Sequence, residues 1–272
     1  MNYGYVTNAW GGLALESTGQ ASIKDLLYPA MGSTTKAIHN IAQAGYRGIE
    51  ISDGSLREFE RSKPVFRQLM LEHRLALVAV SCRANLISPK ILKDELWWID
   101  RSATLAVEMG ASQFVIVGGA KPMTGLTDHE LQDLSESLDR VADIAEGYGL
   151  TVSYLPHSSM TKDTLDVILK RSRINFCPNT AHLAAGDDDP AALIHEYRDR
   201  IRHVHLKGFD TNLFNFSNLS EGTLDNAAIV RLLEGNGYRG WVMVEANGCT
   251  GNLRNNAISS LKYLRALGPV AD

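Results

Sequence analysis

Apolar residues recur along this chain in two alternating patterns, one typical of helices and one typical of strands. After Thr127, six residues fall at the i, i+3, i+4 and i+7 spacing of one helical face: Leu131, Leu134, Leu138, Val141, Ala145 and Tyr148. Thr127 and Glu130 have the spacing of a capping box at the start of this predicted helix. Gly149 ends the helix, and the apolar run LTVSYLPH that follows it is typical of a strand.

The same order of helix, turn and strand repeats along the chain. The eight predicted strands are YGYVTNAW, IEIS, LALVAVSC, QFVIVGG, LTVSYLPH, INFCPN, IRHVHLK and WVMVE, with about eight helical segments between and after them. Strands that alternate with helices imply parallel pairing. Eight such units without a break in composition favour an α/β fold with one domain, residues 1–272, built as a single (β/α)8 TIM barrel rather than an open doubly wound sheet.

The composition and charge of the chain disfavour several classes of protein. The 272 residues are 44% hydrophobic and 21% charged, and their net charge of −4 includes no basic run suited to nucleic acid. The three cysteines, Cys82, Cys177 and Cys249, form no CxxC pair, which suits a reducing compartment. No apolar run approaches the ~20 residues of a membrane span, and MNYGYVTNAWGG lacks the regions of a secretion signal. We therefore expect a cytoplasmic protein with no nucleic-acid or membrane partner.

The last two predicted strands carry the clearest candidate chemistry. In IRHVHLK, His203, His205 and Lys207 alternate with apolar residues, so they share one face of a strand whose two faces are both covered. We expect a functional role for His205 or Lys207 and a hydrogen-bonded core position for the deeper His203. Glu245 ends WVMVE and is either a base or ligand, or an ion-pair partner at the rim.

Further polar residues follow the other predicted strands. His157 and His182 come soon after strands five and six, and Asn179 ends strand six, whereas Cys177 is expected to pack. Four residues are predicted to contact substrate: Glu50, Asn179, Trp10 and Lys121. Because active sites of TIM barrels lie at the carboxyl ends of the strands, these residues are expected to surround one mouth. Lys121 follows Gly118-Gly119, a weak anion-binding signal without phosphate-loop spacing.

These strand ends, in this order, resemble the xylose isomerase-like TIM barrels of the sugar phosphate isomerase/epimerase superfamily, and most closely their inosose dehydratase-like branch. The segments that carry the resemblance are YVTNAWGG, GYRGIEIS, YLPHSSM, CPNTAHLAAGDDDP, DRIRHVHLKGF, SEGTLD and GYRGWVMVE. They extend over nearly the whole chain. The resemblance implies an enzyme of carbohydrate metabolism, and it allows a homo-oligomer.

The resemblance also implies a divalent metal, held by a glutamate on strand five, an aspartate on six, a histidine on seven and a glutamate on eight. His205 and Glu245 match the last two positions, but the others fall on Leu155 and Asn179, and Gly208 replaces an acidic residue common after the histidine. His157 would have to complete a site with His205, Glu245 and a weak ligand, Asn179. Such a site suits Mn, Fe, Co or Zn better than Mg. No organic cofactor is expected.

The implied reaction begins with removal of a proton next to a carbonyl group of a keto-sugar, inosose or polyol. Glu245 is the expected base, Lys207 or a metal on His205 would stabilise the oxyanion, and His157 or His182 would act as the acid in a dehydration. Isomerisation, epimerisation and dehydration stay open as outcomes.

Two alternatives stay open beside this hypothesis. The first is a catalytically altered barrel that serves as a sugar-binding or accessory subunit, or as a metal-independent non-redox enzyme of a specialised pathway. The second is an apurinic endonuclease, which the charge and the absence of histidines and acidic residues at Ser81-Cys82 and Gly118-Gly119 disfavour. The long segments 11–33 and 209–224 are expected to lie over the mouth. In the second segment, Phe209, Phe214 and Phe216 would either cover a pocket or be buried in a dimer contact.

Overall fold

Eight parallel strands form one curled sheet. The computed structural model describes residues 1–10, 32–118, 125–156, 160–246 and 252–268. Numbered in chain order, the barrel strands are β1 (Asn2–Val6), β2 (Gly48–Ser52), β3 (Ala76–Arg83), β4 (Gln113–Val117), β5 (Thr151–Leu155), β6 (Asn175–Phe176), β7 (Val204–Leu206) and β10 (Trp241–Val244). Their order in the sheet is β6-β5-β4-β3-β2-β1-β10-β7, and parallel bridges from Phe176 to Ile201 and from Asn179 to His205 join its two ends. The predicted TIM barrel is confirmed.

Helices follow the strands. They are α1 (Thr34–Ala44), α2 (Asp53–Leu56), α3 (Lys63–Glu72), α4 (Pro89–Met109), α5 (Asp128–Gly147), α6 (Lys162–Arg171), α7 (Thr180–Ala185), α8 (Pro190–Glu196), α9 (Asn226–Gly235) and α10 (Leu253–Leu267). The capping box predicted for α5 is present, because Thr127 accepts from the Glu130 N–H and Glu130 accepts from the Thr127 N–H. Asp189 caps α8 by accepting from the N–H groups of Ala191 and Ala192, with Pro190 in the first turn.

Two apolar clusters hold the barrel together. The larger one lies between the sheet and its helices, and the smaller one includes Val6, Val115, Leu155 and Met243 beneath the carboxyl ends of the strands. Gly48 is required by close packing here, since a Cβ atom would lie 2.5 Å from Val78 Cγ2 and 2.6 Å from Trp241 Cζ3. The interior of the barrel is therefore a packed core at this level.

Several predicted boundaries were wrong. Thr7–Trp10 forms a 3-10 helix rather than the end of the first strand, and β6 keeps only two residues of the predicted run. Tyr148 was placed on the buried face of α5, but it lies beyond the helix end, is 40% exposed and donates to Asp100 Oδ1. Part of the segment 209–224, predicted to be irregular, pairs as an antiparallel hairpin of β8 (Gly208–Asp210) and β9 (Asn215–Ser217).

Two of the cysteines can be placed. Cys82 and Cys177 are buried free thiols, and burial raises the pKa of both, so they pack as small apolar groups. Cys249 lies outside the described residues. Among the helices of the described ranges, none combines the length and the hydropathy needed to cross a bilayer.

Candidate active site

A cavity of about 40 Å³ opens at the carboxyl ends of the strands, with room for a few water molecules or the reacting end of a substrate. Its lining includes the polar residues Asn8, Glu50, Ser52, Asp53, Ser81, Arg83, His182, His205 and Glu245, with Val6, Val117 and Leu155 as apolar neighbours. Catalytic groups of TIM barrels gather at this end of the sheet. We therefore treat this cavity, called the mouth cavity below, as the candidate active site.

The inward face of β7 leads directly to the mouth cavity. His203, His205 and Lys207 are at most 3% exposed, as the alternation predicts for one face. The Nε2–H groups of His203 and His205 both donate to Glu50 Oε2, at 2.8 Å and 2.9 Å. Glu50 comes from the middle of β2, so this pair of hydrogen bonds ties opposite sides of the barrel together.

The second carboxylate of the cluster, Glu245, directly follows β10. His205 Nδ1 lies 3.0 Å from Glu245 Oε2, and the Asn179 side-chain amide donates to the same oxygen at 2.7 Å. Lys207 Nζ donates to Glu245 Oε1 at 3.3 Å. Two carboxylates, Glu50 and Glu245, thus alternate with the imidazole of His205 and the ammonium of Lys207 in one buried chain of charges.

The charge state of the cluster follows from these contacts. Burial opposes ionisation of Glu50, but the charge of His205 and hydrogen bonds from both imidazoles outweigh it and lower its pKa to about 2. Burial likewise opposes the imidazolium of His205, yet Glu50 and Glu245 raise its pKa to about 10. For Glu245, the charge of Lys207 and the hydrogen bond with His205 overcome burial and hold the pKa well below its usual range. His205 is therefore an imidazolium between two carboxylates at neutral pH.

Two charged residues of the mouth cavity were not among the predicted site residues. Asp53 directly follows β2, and burial raises its pKa despite Arg57 and the hydrogen bonds from Ser102 Oγ at 3.0 Å and the Gly54 N–H at 2.8 Å. Arg83 ends β3. Alternation along β3 would have found it, because Ser81 and Arg83 lie two residues apart and both line the cavity.

The hairpin covers Lys207 with an aromatic ring. Lys207 Nζ lies 3.7 Å from the centroid of the Phe216 ring, and that ring is also 5.7 Å from the His182 ring. A cation over an aromatic face is attracted electrostatically, more strongly where water is excluded. Lys207 is only 1% exposed, and its ammonium donates to Glu245 at the edge of the site.

The remaining predicted residues lie in different places. Glu50, His182, His205 and Glu245 line the mouth cavity, and Asn179 is buried beside Glu245. Trp10 is partly buried, packs edge-on against Tyr5 with ring centroids 5.6 Å apart, and contacts the edge of the apolar core. Lys121 and His157 lie outside the described residues. The assigned roles of all these side chains stay predictions.

Comparison with known proteins identifies the family. A family model described as xylose isomerase-like TIM barrel matches residues 38–267. The chain belongs to the xylose isomerase-like TIM barrel family. A relative from Clostridium beijerinckii, an inosose dehydratase, is 22% identical over 85% of this chain and 88% of its own length.

Solved structures agree with this fold. The 3-keto-D-glucoside 4-epimerase of E. coli superposes with a TM-score of 0.72 at 19% identity, covering 98% of this chain and 99% of that one. D-psicose 3-epimerase of Clostridium cellulolyticum H10 has a TM-score of 0.75 at 16% identity, over 98% and 99% of the two chains. At such identities the similarity establishes the fold.

The described residues do not fit the metal site that resemblance to this xylose isomerase-like family implies. Leu155 offers no ligand atom, and Asn179 uses its Oδ1 to accept from the His182 N–H and its amide to donate to Glu245. Glu50, His203 and His205 do bring ligand atoms within 4.8 Å of one another, a spacing compatible with an ion. Both imidazoles donate to Glu50 in this arrangement, so an ion bound there would have to replace these hydrogen bonds and release their protons. We therefore derive no step through a metal.

Proposed function

We propose that this protein is an enzyme that removes a proton from the carbon next to a carbonyl group of a keto-sugar, inosose or related polyol. The observation that carries the proposal is the pairing of two carboxyl groups with opposite environments in the mouth cavity. Neighbouring cations hold the pKa of Glu245 well below its usual range, whereas burial raises the pKa of Asp53. Carboxyl groups whose pKa values are driven apart are typical of an acid and a base in one site.

In this mechanism Glu245 accepts the proton from carbon. Its low pKa keeps it ionised at any working pH but also makes it a weak base, so the substrate must carry an acidified C–H bond. A carbonyl group supplies that acidity, because the negative charge moves to its oxygen as an enediolate. Arg83 lines the same cavity and is our candidate for the cation that stabilises this oxygen.

The fate of the proton decides the overall reaction. Return to the adjacent carbon isomerises the substrate, and return to the other face epimerises it. If an acid protonates a β-hydroxyl group instead, water leaves and the product is unsaturated. Asp53 and His182 border the cavity and are the candidate acids. The names of the relatives, an inosose dehydratase and two sugar epimerases, support this substrate class and this range of outcomes.

A sugar-binding barrel without catalysis is the second candidate. The observation that favours it is the loss of two family-type ligand positions, with Leu155 lining the cavity and Asn179 bonded to Glu245. Such a protein would keep the polar mouth and bind a polyol without changing it.

One experiment separates the two functions. The full chain is incubated with a panel of inososes, keto-hexoses and their polyols, and each mixture is followed by thermal shift and by proton NMR. The proposed enzyme converts at least one member of the panel to an isomer, epimer or dehydrated product. Thermal stabilisation by a panel member without any conversion would instead support the binding protein and contradict the enzyme.

A further inference from the structure

A second cavity lies at the opposite end of the barrel from the mouth. It has a volume of about 460 Å³, which falls within the range of small-molecule sites. Its lining residues come from the amino-terminal ends of the strands: Gln113 begins β4, Ile201 and Arg202 precede β7, and Arg239 and Gly240 precede β10. We call it the basal cavity. Nothing in the proposed reaction uses it.

The basal cavity is positively charged, although the whole protein has a net charge of −4. Arg198, Arg202 and Arg239 line it together with a single acidic residue, Asp199. Three positive charges and one negative charge leave a local excess of two. A concave surface with this excess concentrates small anions near it.

The arginines keep hydrogen-bonding capacity for a ligand. Arg202 Nη1 donates to the Ile201 carbonyl at 3.0 Å, and Arg239 Nη1 donates to the Tyr238 carbonyl at 2.9 Å. Within the described part of the chain, neither guanidinium has a carboxylate within 4.0 Å, and Arg198 reaches Asp199 only at 3.9 Å. Each guanidinium carries five N–H donors in a planar fork that matches the oxygens of a phosphate group.

Two further polar atoms of the lining lack a partner. Gln113 Oε1 and Asn236 Nδ2 are buried atoms with no hydrogen bond to any described group. Buried polar atoms are nearly always bonded in folded proteins, so such a pair indicates a bound molecule or ordered water. Asn236 would donate to an anionic oxygen, and Gln113 would accept from a hydroxyl group.

From these observations we infer that the basal cavity is a second binding site, for a small phosphate-bearing anion such as a phosphate monoester or a pyrophosphate. The local excess of two positive charges matches a dianion. The planar forks of the arginines can each bind two oxygens of a phosphate group, and the charge excess favours such an anion over a singly charged carboxylate. A hydroxyl group on the same ligand would satisfy Gln113. The site lies at the other end of the barrel from Glu245, so binding there does not depend on the proposed reaction.

Calorimetric titration with pyrophosphate tests this inference on the full chain. We expect saturable binding to one site. The affinity should fall at roughly 0.5 M salt, because salt at this concentration screens the attraction between charges beyond a few ångströms. The double variant Arg202→Gln/Arg239→Gln should bind roughly tenfold more weakly or worse, since each substitution removes a charge-assisted contact. Both side chains are exposed, so the variant should keep the unfolding temperature of the wild type.

Two controls make the result specific. Arg47→Gln/Arg140→Gln removes the same charge from exposed positions outside the basal cavity and should bind pyrophosphate as the wild type does. Glu245→Gln, at the mouth, should also bind it unchanged. The inference would be overturned by the absence of saturable binding, by equal losses in the two arginine double variants, or by a loss in Glu245→Gln.

Discussion

Replacing Glu50 with glutamine tests the buried charge cluster most sharply. The substitution keeps the shape of the side chain but removes the charge that faces two imidazoles, 2.8 Å from His203 and 2.9 Å from His205. His205 would then keep only Glu245 as its counter-ion. Since Glu50 is fully buried, solvent does not screen this loss.

The size of the effect follows from the pKa of Glu50. Its lowering from 4.5 to about 2 corresponds to about 3 kcal/mol of folding free energy at neutral pH. Removal of one partner from a buried ion pair independently predicts about 3–5 kcal/mol. Because the pKa is depressed in the folded state, this stabilisation is present above pH 4.5 and disappears as the pH falls through about 2.

Urea and thermal unfolding of Glu50→Gln, followed by circular dichroism, check the prediction. For a chain of this size we expect the unfolding temperature to fall by roughly 6–12 °C at neutral pH. The matched control is Glu60→Gln, which breaks an exposed ion pair with Arg101 and should cost less than about 1 kcal/mol. If Glu50→Gln is as stable as Glu60→Gln, the proposed charge state of the cluster is incorrect.

Four further predictions follow from the same cluster. Lys207→Met should raise the pKa of Glu245 and so move the acidic limb of the pH–rate profile to higher pH, whereas an unshifted limb would show that Lys207 does not act on Glu245. Asp53→Asn should slow the formation of a dehydrated product more than it slows exchange of the substrate hydrogen with solvent, both followed by NMR. If the two rates fall equally, Asp53 is not the acid. Because the pKa of His205 is raised, its contribution to stability is complete below pH 6.5 and is lost as the pH rises through about 10. Urea titrations of the wild type should therefore show a decline in stability over this range that His205→Gln lacks. Elemental analysis after purification with added Mn, Co and Zn should find substoichiometric metal, whereas one equivalent per chain would reinstate the family-type site.

Much of the barrel could be predicted because local pattern and global fold agree. Thr127 and Glu130 specify where α5 begins, and the alternation in IRHVHLK places His203, His205 and Lys207 on one buried face. Both signals act within a few residues, so they can be read without knowing the tertiary structure.

The partners within the site could not be predicted in the same way. Glu50 lines the mouth cavity, and its role toward substrate stays a prediction, but its hydrogen bonds with His203 and His205, more than 150 residues away, were not predicted. The closure of the barrel decides which strands face each other, and no local sequence pattern predicts how the barrel closes. The hairpin is a similar case, because the contact of Phe216 with Lys207 depends on how β9 folds back over the mouth.

The assignment of Glu245 as the base is the central claim, and hydrogen exchange measures it directly. An inosose or keto-hexose is incubated in deuterium oxide with wild type, Glu245→Gln or the exposed-site control Glu221→Gln, each treated with a chelator, and the C–H signal next to the carbonyl is followed by NMR. We predict exchange by wild type and Glu221→Gln, and a loss of roughly 10²–10⁴-fold in Glu245→Gln. Exchange by Glu245→Gln at the wild-type rate would contradict the account.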